Sequence, residues 1–368
     1  MTDNAMIRLE ELTKRYPGQG RPAVTDLSMD IEEGEIVVLV GPSGCGKTTT
    51  MKLVNRIIEP TSGRIFLEGE DVTTVNADGL RRRIGYAIQQ VGLFPHMTIA
   101  ENIATVPKML GWDRKRIADR VDELLGLVRL DPELYRNRYP KQLSGGQQQR
   151  VGVARALGAD PPVMLMDEPF GAIDPLTRES LQNEFLQVQA DIKKTIVFVT
   201  HDIDEAIRMG DRIAIFREGG HLEQFDTPTA ILAEPANDFV TDFLGAERGL
   251  KRLALIPVSD VKADPGPVVR PGDPRDRAHQ VTATGGTDWV VVVDADGRLC
   301  GWAYVDELGE QVEVTDARPF SLRVFADDSL RKALDSMVTS RTGVAVRVSG
   351  DDRYEGMLTQ DILTREIV

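Results

Sequence analysis

Three short stretches, EIVVLVG at 35–41, VMLMD at 163–167 and TIVFVT at 195–200, are apolar at nearly every position and rich in β-branched residues. A strand with one face in water alternates, so unbroken apolar runs predict strands of a parallel sheet covered on both faces. After each run the chain changes to a helical period: KTTTMKLVNRI, then PLTRESLQNEFLQVQADI, then IDEAIRM. Strand, helix, strand, helix is the order of an α/β nucleotide-binding core. From about 93 to 160 the strand signal disappears. There TIAENIATVPKML, DRKRIADRVDELLGLV and the residues after Gly146 predict a helical subdomain inserted into that core.

Near 245 the texture changes again, and the Pro-, Gly- and Asp-rich DPGPVVRPGDPRDR reads as turns and loop, which sets a first domain at 1–245. The C-terminal part of the chain contains a weak internal repeat. WVVVVDADGRLCGWAYVDEL at 289–308 superposes on VAVRVSGDDRYEGMLTQDIL at 344–363 with Gly301 on Gly356, Asp306 on Asp361 and Leu308 on Leu363, each 55 apart. Two copies of one small α/β unit, 246–313 with its linker and 314–368, are the expectation. Each reads as strand, turn, strand, helix, and the second is preceded by the amphipathic DDSLRKALDSMV.

A chain of 368 residues with 41% apolar and 28% charged residues has the composition of a globular protein of about two domains. No window approaches the roughly 18 consecutive apolar residues of a membrane helix. The N-terminal MTDNAMIRLEELTKRY has neither the basic start nor the apolar core of a signal peptide, which predicts a cytoplasmic protein that meets a membrane only through a partner. A net charge of −14 opposes general attraction to DNA or RNA, so no nucleic-acid partner is expected. The basic RRR at 81–83 reads as a solvated helix face. Cys45 and Cys300 stand far apart without ligand-spaced neighbours, which indicates neither a disulfide framework nor a zinc site.

The chemistry begins at GPSGCGKT, 41–48, which satisfies G-x-x-x-x-G-K-[ST] between a strand and a helix. Gly41, Pro42, Ser43, Gly44, Cys45 and Gly46 form a loop whose glycines let backbone N–H groups, of which Pro42 has none, wrap a β-phosphate, and the helix starting near Lys47, Thr48 and Thr49 adds its dipole. Lys47 is placed to reach the β- and γ-phosphates of ATP, and Thr48 to ligate Mg²⁺. Asp167 and Glu168 leave a buried strand, where charges are costly unless they bind something. Asp167 fits the Mg²⁺ carboxylate, bound directly or through a water of the ion, and Glu168 the base that polarises the attacking water. Gln89, after RIGYAI, fits a contact to Mg²⁺ and that water; His201, after TIVFVT, fits the γ-phosphate or the orientation of the base.

A second glycine pair stands in LSGGQ at 143–147, before another helix. Such a pair builds a second anion site from the amides of Gly145 and Gly146, with Ser144 and Gln147 as polar partners. One P-loop means one nucleotide per chain. A second site on the opposite surface is therefore used only by closing onto ATP held by another copy, which predicts a head-to-tail dimer with two ATP molecules at its interface.

P-loop, Gln89, LSGGQ, VMLMDEP, GAID at 171–174 and His201, in that order, resemble the ATP-binding subunits of ABC transporters over residues 6 to about 245. The resemblance implies an ABC ATPase core of P-loop NTPase fold, Asp174 touching the partner's site, and Tyr16 stacking on adenine. Ile173 stands where that family more often has Leu. NRIIEPTSGRIFLEGEDV, YPKQLSGGQQQRVGVARAL and DEPFGAIDPLTRESLQNEF resemble the subfamily serving uptake of glycine betaine, carnitine, choline or proline betaine. In that subfamily the C-terminal extension is a tandem pair of CBS modules, the α/β pair of the repeat.

The likeness further implies integral membrane permease subunits, an extracytoplasmic substrate-binding protein, and a place on the cytoplasmic face of the membrane. Permease docking is expected in the groove near Gln89 to Phe94. Two alternatives stay open: an importer for another betaine-like or cationic molecule, and a soluble ABC ATPase without a membrane partner. The C-terminal pair either senses an adenine-containing ligand or ionic strength, or holds the dimer together. The ribose-binding pattern of CBS modules places Asp three residues after Thr or Ser; here Thr359 precedes Asp361 by two and Tyr304 takes the Thr position of the first copy, which favours dimerisation.

Overall fold

A computed structural model describes residues 5–87, 92–171 and 173–367, apart from the side chains of residues 175, 176, 284 and 285. The chain forms two units, Met1–Phe243 and Leu244–Val368.

In the first unit, strands β1 (Ala5–Lys14), β2 (Val24–Glu32), β4 (Ser62–Leu67) and β5 (Glu70–Asp71) make an antiparallel sheet in the order β2-β1-β4-β5. Strands β3 (Ile36–Val40), β6 (Ile84–Ala87), β7 (Val163–Asp167), β8 (Thr195–Val199), β9 (Arg212–Arg217) and β10 (His221–Asp226) make a second sheet, β10-β9-β3-β8-β7-β6. Its pairs are parallel except β9 with β10. The three apolar runs of the sequence are its central neighbours β3, β8 and β7. All five residues of β3 and of β8 are buried, as a strand covered on both faces requires. Side chains of both sheets share one core, Ile7, Leu27 and Ile65 packing with Val37, Leu165 and Phe216.

Between β6 and β7 the chain is helical, with Ile99–Ile103, Thr105–Met109, Arg114–Leu127, Pro132–Tyr135 and Gly145–Ala156. Their starts carry side-chain caps where the sequence provides them: Thr98 and Glu101 form a reciprocal capping box, and Asp113 accepts from the Arg116 N–H. After β7 comes the helix Pro175–Ile192, and after β8 the helix Ile203–Met209.

The second unit holds two three-stranded sheets of one design. Strands β11 (Val268–Val269), β12 (Trp289–Val293) and β13 (Leu299–Tyr304) run in the order β11-β12-β13; β14 (Arg323–Val324), β15 (Ala345–Val348) and β16 (Tyr354–Leu358) run in the order β14-β15-β16. In each, the first pair is parallel and the second antiparallel.

The 55-residue shift relates their contacts. Leu299 N–H donates to the Asp352 carbonyl and Tyr354 N–H to the Gly297 carbonyl, both at 2.9 Å. The segment leading into each sheet bridges the other. Asp264, ahead of β11, exchanges two backbone bonds of 2.8 Å with Met357 of β16; Arg318, ahead of β14, exchanges bonds of 2.8 and 2.9 Å with Trp302 of β13.

Gly301 and Gly356, matched in the sequence repeat, make that approach feasible. At φ 151 and 130 they have no Cβ where one would lie 2.2 Å from the Arg318 carbonyl oxygen and 2.8 Å from the Ala263 Cβ. One element departs from the repeat. The expected closing helix is present in the second copy as Gln360–Ile367, whereas the first has a single 3₁₀ turn, Val305–Glu307. The helix Leu330–Thr339 starts at Ser329, whose hydroxyl accepts from Lys332 N–H, and Asp328 serves the preceding turn by accepting from Phe325 N–H.

Candidate functional site

Loops at the carboxyl ends of β3, β7 and β8, adjacent in the sheet, meet at one cleft, as open α/β sheets dispose their sites. Gly41, at φ 152, leaves β3 where a Cβ would lie 2.3 Å from the Phe216 carbonyl oxygen; Gly46, at φ 108, passes the Ala23 carbonyl where a Cβ would also lie at 2.3 Å. Neither position admits a side chain, and between them the backbone folds into a cradle. Gly46 is the N-cap of the helix Lys47–Val54 and offers no side-chain acceptor. The first-turn N–H groups are therefore directed to whatever the cradle holds. Buried Lys47 lies across this loop, its Nζ donating to the carbonyl oxygens of Gly41 at 2.7 Å and Pro42 at 3.0 Å.

Asp167 ends β7, and its Oδ1 accepts from the Thr48 hydroxyl at 3.2 Å. Burial pushes the Asp167 carboxyl above the usual carboxylate range; the Thr48 bond works against that, and the neighbouring Glu168 charge adds to it. Burial, with the Asp167 charge second, likewise pushes the Tyr86 hydroxyl up to about 12. A carboxylate and a hydroxyl oxygen held together are the hard donors that Mg²⁺ takes, and the raised proton affinity of the Asp167 carboxyl is what a nearby cation would offset.

Glu168 takes the left-handed conformation, φ 46, which is costly for a residue with a side chain. Its N–H donates to the Val199 carbonyl of β8 at 2.9 Å, and the turn aims the carboxylate into the cleft. There Oε1 lies 3.1 Å from Nδ1 of His201, with side chains 22% and 64% exposed respectively, so the pair faces the opening and remains within reach of water. Thr200 N–H, bonded to the Leu39 carbonyl at 3.1 Å, holds the His201 loop against β3.

The cleft is thus lined by Gly41, Pro42, Ser43, Gly44, Cys45, Gly46, Lys47, Thr48 and Thr49 with Glu168, His201 and Phe243. Phe243 was not singled out by the sequence. Its only signal is the spacing of Phe239 and Phe243, whose rings stack 6.2 Å apart at 14°.

The other described candidates are not part of this lining. Gln89 falls outside the described residues. Tyr16 follows β1 under the Lys14 ammonium, 5.3 Å from its ring centroid, on the connection that leads to Ala23 beside the cradle. Ser144 and Gln147 form a capping box: Gln147 N–H donates to the Ser144 hydroxyl at 3.3 Å, and Ser144 N–H to Gln147 Oε1 at 3.0 Å. The Gln147 amide also donates to the Tyr135 hydroxyl at 3.1 Å.

The two glycines of that motif differ. A Cβ on Gly145 would meet nothing within 4 Å, and one on Gly146 would stand 3.4 Å from Leu181 Cδ1. Asp174 caps the helix Pro175–Ile192, accepting from Thr177 N–H at 3.1 Å. In the groove expected near residue 94, buried Asn102 accepts from Phe94 N–H at 2.7 Å and donates to the Phe94 carbonyl at 3.2 Å, leaving the Phe94 ring partly exposed. No described helix is long and apolar enough to cross a membrane.

Comparison with known proteins finds the family model "ABC transporter" on residues 24–171 and the model "CBS domain" on 317–368. An osmoprotectant import ATP-binding protein of Salmonella typhimurium is 48% identical over 367 residues, covering 97% of this chain and 95% of its own. A glycine betaine/carnitine/choline transport ATP-binding protein of Bacillus subtilis is 50% identical over 306 residues, covering 83% and 80%. Among solved structures, a dimeric ATP-binding cassette in a post-hydrolysis state, bound to ADP and Pi, matches with a TM-score of 0.54 and 33% identity, over 61% of this chain and 99% of its own.

Proposed function

The chain belongs to the ATP-binding subunits of ABC transporters that import osmoprotectants, and we propose that two copies close on two ATP molecules, with Glu168 of each chain as the base of hydrolysis. It is an ATPase that powers uptake of an osmoprotectant of the glycine betaine, carnitine or choline type through membrane permease partners. The observation that carries the mechanistic reading is the convergence of the glycine cradle, the Thr48–Asp167 pair and the Glu168–His201 pair on one cleft.

In this reading the cradle amides and Lys47 bind the phosphates of ATP, Lys47 leaving the carbonyls of Gly41 and Pro42 to do so. Thr48, Asp167 and Gln89 hold Mg²⁺, which when bound neutralises charge on the β- and γ-phosphates. Glu168 accepts the proton of the attacking water, and His201 fixes the carboxylate through the 3.1 Å contact to its Nδ1. Tyr16 stacks on the adenine. The exposed amides of Gly145 and Gly146 close on the other copy's γ-phosphate, the Ser144–Gln147 box keeping that helix start preformed. Asp174 touches the other copy's site.

Closure and reopening of the pair drive the permeases, which dock near Phe94; an extracytoplasmic binding protein supplies the cargo, and the subunit sits on the cytoplasmic face of the membrane. For the second unit we infer that it joins the two copies. Thr359, in the place where a ribose ligand would be sought, instead accepts from Ile362 N–H at 3.4 Å in the start of its own helix.

The test is to purify the tagged chain from solubilised membranes of its native cell, then measure uptake of labelled betaine, choline and carnitine in a deletion strain. Co-purification of a multi-span permease with loss of one uptake is the expected result. Co-purification with ribosomes or DNA would overturn the transport reading.

A further inference from the structure

The helices that follow the Asp174 and His201 loops, Pro175–Ile192 and Ile203–Met209, face each other through polar side chains. Arg178 Nη2 donates to the Ile173 carbonyl at 3.0 Å, and its Nη1 stands 4.0 Å from Asp202 Oδ2. The other Asp202 oxygen caps its own helix, accepting from Asp204 N–H at 2.9 Å and Glu205 N–H at 3.3 Å. One turn further along, the buried Gln182 amide donates to Oε1 of buried Glu205 at 2.8 Å. Arg208 closes the row on Glu179 at 3.0 Å and Asn183 at 2.9 Å.

Positions 178, 182 and 179, 183 are each four apart, so this is one face of the helix, met by Asp202, Glu205 and Arg208 on the other. Burying a carboxylate is unfavourable, and apolar residues would pack these helices without that cost. What the polar row adds is a fixed register, because its donors meet their acceptors only when these positions face one another. Its first member grips the residue before Asp174 and the residue after His201.

We propose that Arg178, Gln182 and Glu205 are positioning residues that tie the Asp174 loop to the His201 loop, so that both move as one body when two copies close on ATP. This rests on the proposed two-copy mechanism: a contact made by Asp174 on the neighbouring copy would reach His201, and through it Glu168, by way of the Arg178–Ile173 hydrogen bond, the 4.0 Å charge contact of Arg178 with Asp202, and the His201–Glu168 contact. Burial raises the proton affinity of Glu205, opposed by hydrogen bonds from Thr200 and Gln182, which is in keeping with a group held by its partners and shielded from water.

The test uses the full chain with Arg178→Ala, Glu205→Leu and Glu205→Gln, read by amide hydrogen exchange and by steady-state hydrolysis. Glu205→Gln keeps an oxygen for the Gln182 amide. Arg178→Ala and Glu205→Leu are expected to speed exchange both at Ile173 to Thr177 and at Thr200 to Glu205, and to lower kcat at least about ten-fold while KM for ATP stays within about three-fold. Glu205→Gln is expected to remain within about two-fold of the parent on both readouts.

Exchange that rises only around the substituted residue would overturn the tie. So would loosening spread through the whole unit with loss of ATP binding, which is the signature of a scaffold contact. Failure of the parent itself to hydrolyse ATP would remove the hydrolytic reading, while the exchange experiment would still decide whether the loops are joined.

Discussion

Replacing Gly145 by Ala separates what Gly145 and Gly146 do for the fold from the contact with ATP proposed for them. A Cβ on Gly145 would meet nothing within 4 Å, the residue occupies the first position of the helix Gly145–Ala156, and its backbone is not in the left-handed region. Alanine there loses less chain entropy on folding, which favours the native state by about 0.4–1 kcal/mol. At about 2–4 °C per kcal/mol for a unit of this size, the midpoint rises by roughly 1–4 °C.

If the amides of residues 145 and 146 close on a phosphate, the same methyl group stands between donor and ligand, and a displacement near 1 Å costs about 10²-fold in rate. The expected variant is slightly more stable and nearly inactive, with the nucleotide affinity of the isolated chain unchanged. Differential scanning fluorimetry and a phosphate-release assay at saturating Mg-ATP read both sides. Gly146→Ala is the companion variant: its Cβ would stand in ordinary contact, 3.4 Å from Leu181 Cδ1, so its midpoint is expected to rise at least as much while its rate falls in the same way. Parental turnover in Gly145→Ala would refute the phosphate contact, and a fall in both midpoint and rate would mean that the helix start had been disrupted.

Three further outcomes are expected. Glu168→Gln lowers hydrolysis by roughly 10²–10⁴-fold while ATP binding, followed by a fluorescent nucleotide, persists; rapid turnover would remove Glu168 from its role. The Asp167 carboxyl binds its proton more tightly folded than unfolded, so in the nucleotide-free chain it costs stability as pH rises above the ordinary carboxylate value. Asp167→Asn is therefore expected to raise the nucleotide-free midpoint at neutral pH, with a gain that shrinks toward pH 4, while abolishing Mg²⁺-dependent hydrolysis; a midpoint below the parent's would contradict the burial argument. Gly301→Ala would place a Cβ 2.2 Å from the Arg318 oxygen at φ 151, which at about 1–3 kcal/mol lowers the melting of the second unit by roughly 3–12 °C in circular dichroism.

The central strands and the P-loop were legible because burial on both faces leaves an unbroken apolar run and because a phosphate cradle has a fixed glycine spacing. EIVVLVG, VMLMD and TIVFVT became β3, β7 and β8, and IDEAIRM corresponds residue for residue to the helix Ile203–Met209. The antiparallel sheet of β1, β2, β4 and β5 went unread, since its register shifts between Leu9 and Leu12 and between Leu12 and Lys14 break the alternation that marks a strand. At the site, residue types were readable but the backbone was not. Nothing in VMLMDEP announces that Glu168 turns left-handed against Val199. Phe243 reaches the cleft from 42 residues beyond His201, a proximity that only the fold supplies. Ser144, Gln147 and Asp174 were visible as polar positions, yet their work as helix caps depends on where each helix begins.

The crossing of the lead segments in the C-terminal unit makes its two halves hostages of each other. Because Asp264 completes the sheet of β16 and Arg318 completes that of β13, each half borrows an edge from chain belonging to the other. Unravelling either half strips a two-bond backbone bridge from its sibling, so the unit should melt in a single step and resist proteolysis until both open together. Residues 317–368, which carry the CBS match, include Arg318 but not Asp264, and cutting there would leave one open edge on the shorter piece. A duplication joined in this way can drift in sequence, as the lost closing helix of the first copy illustrates, without either copy becoming dispensable.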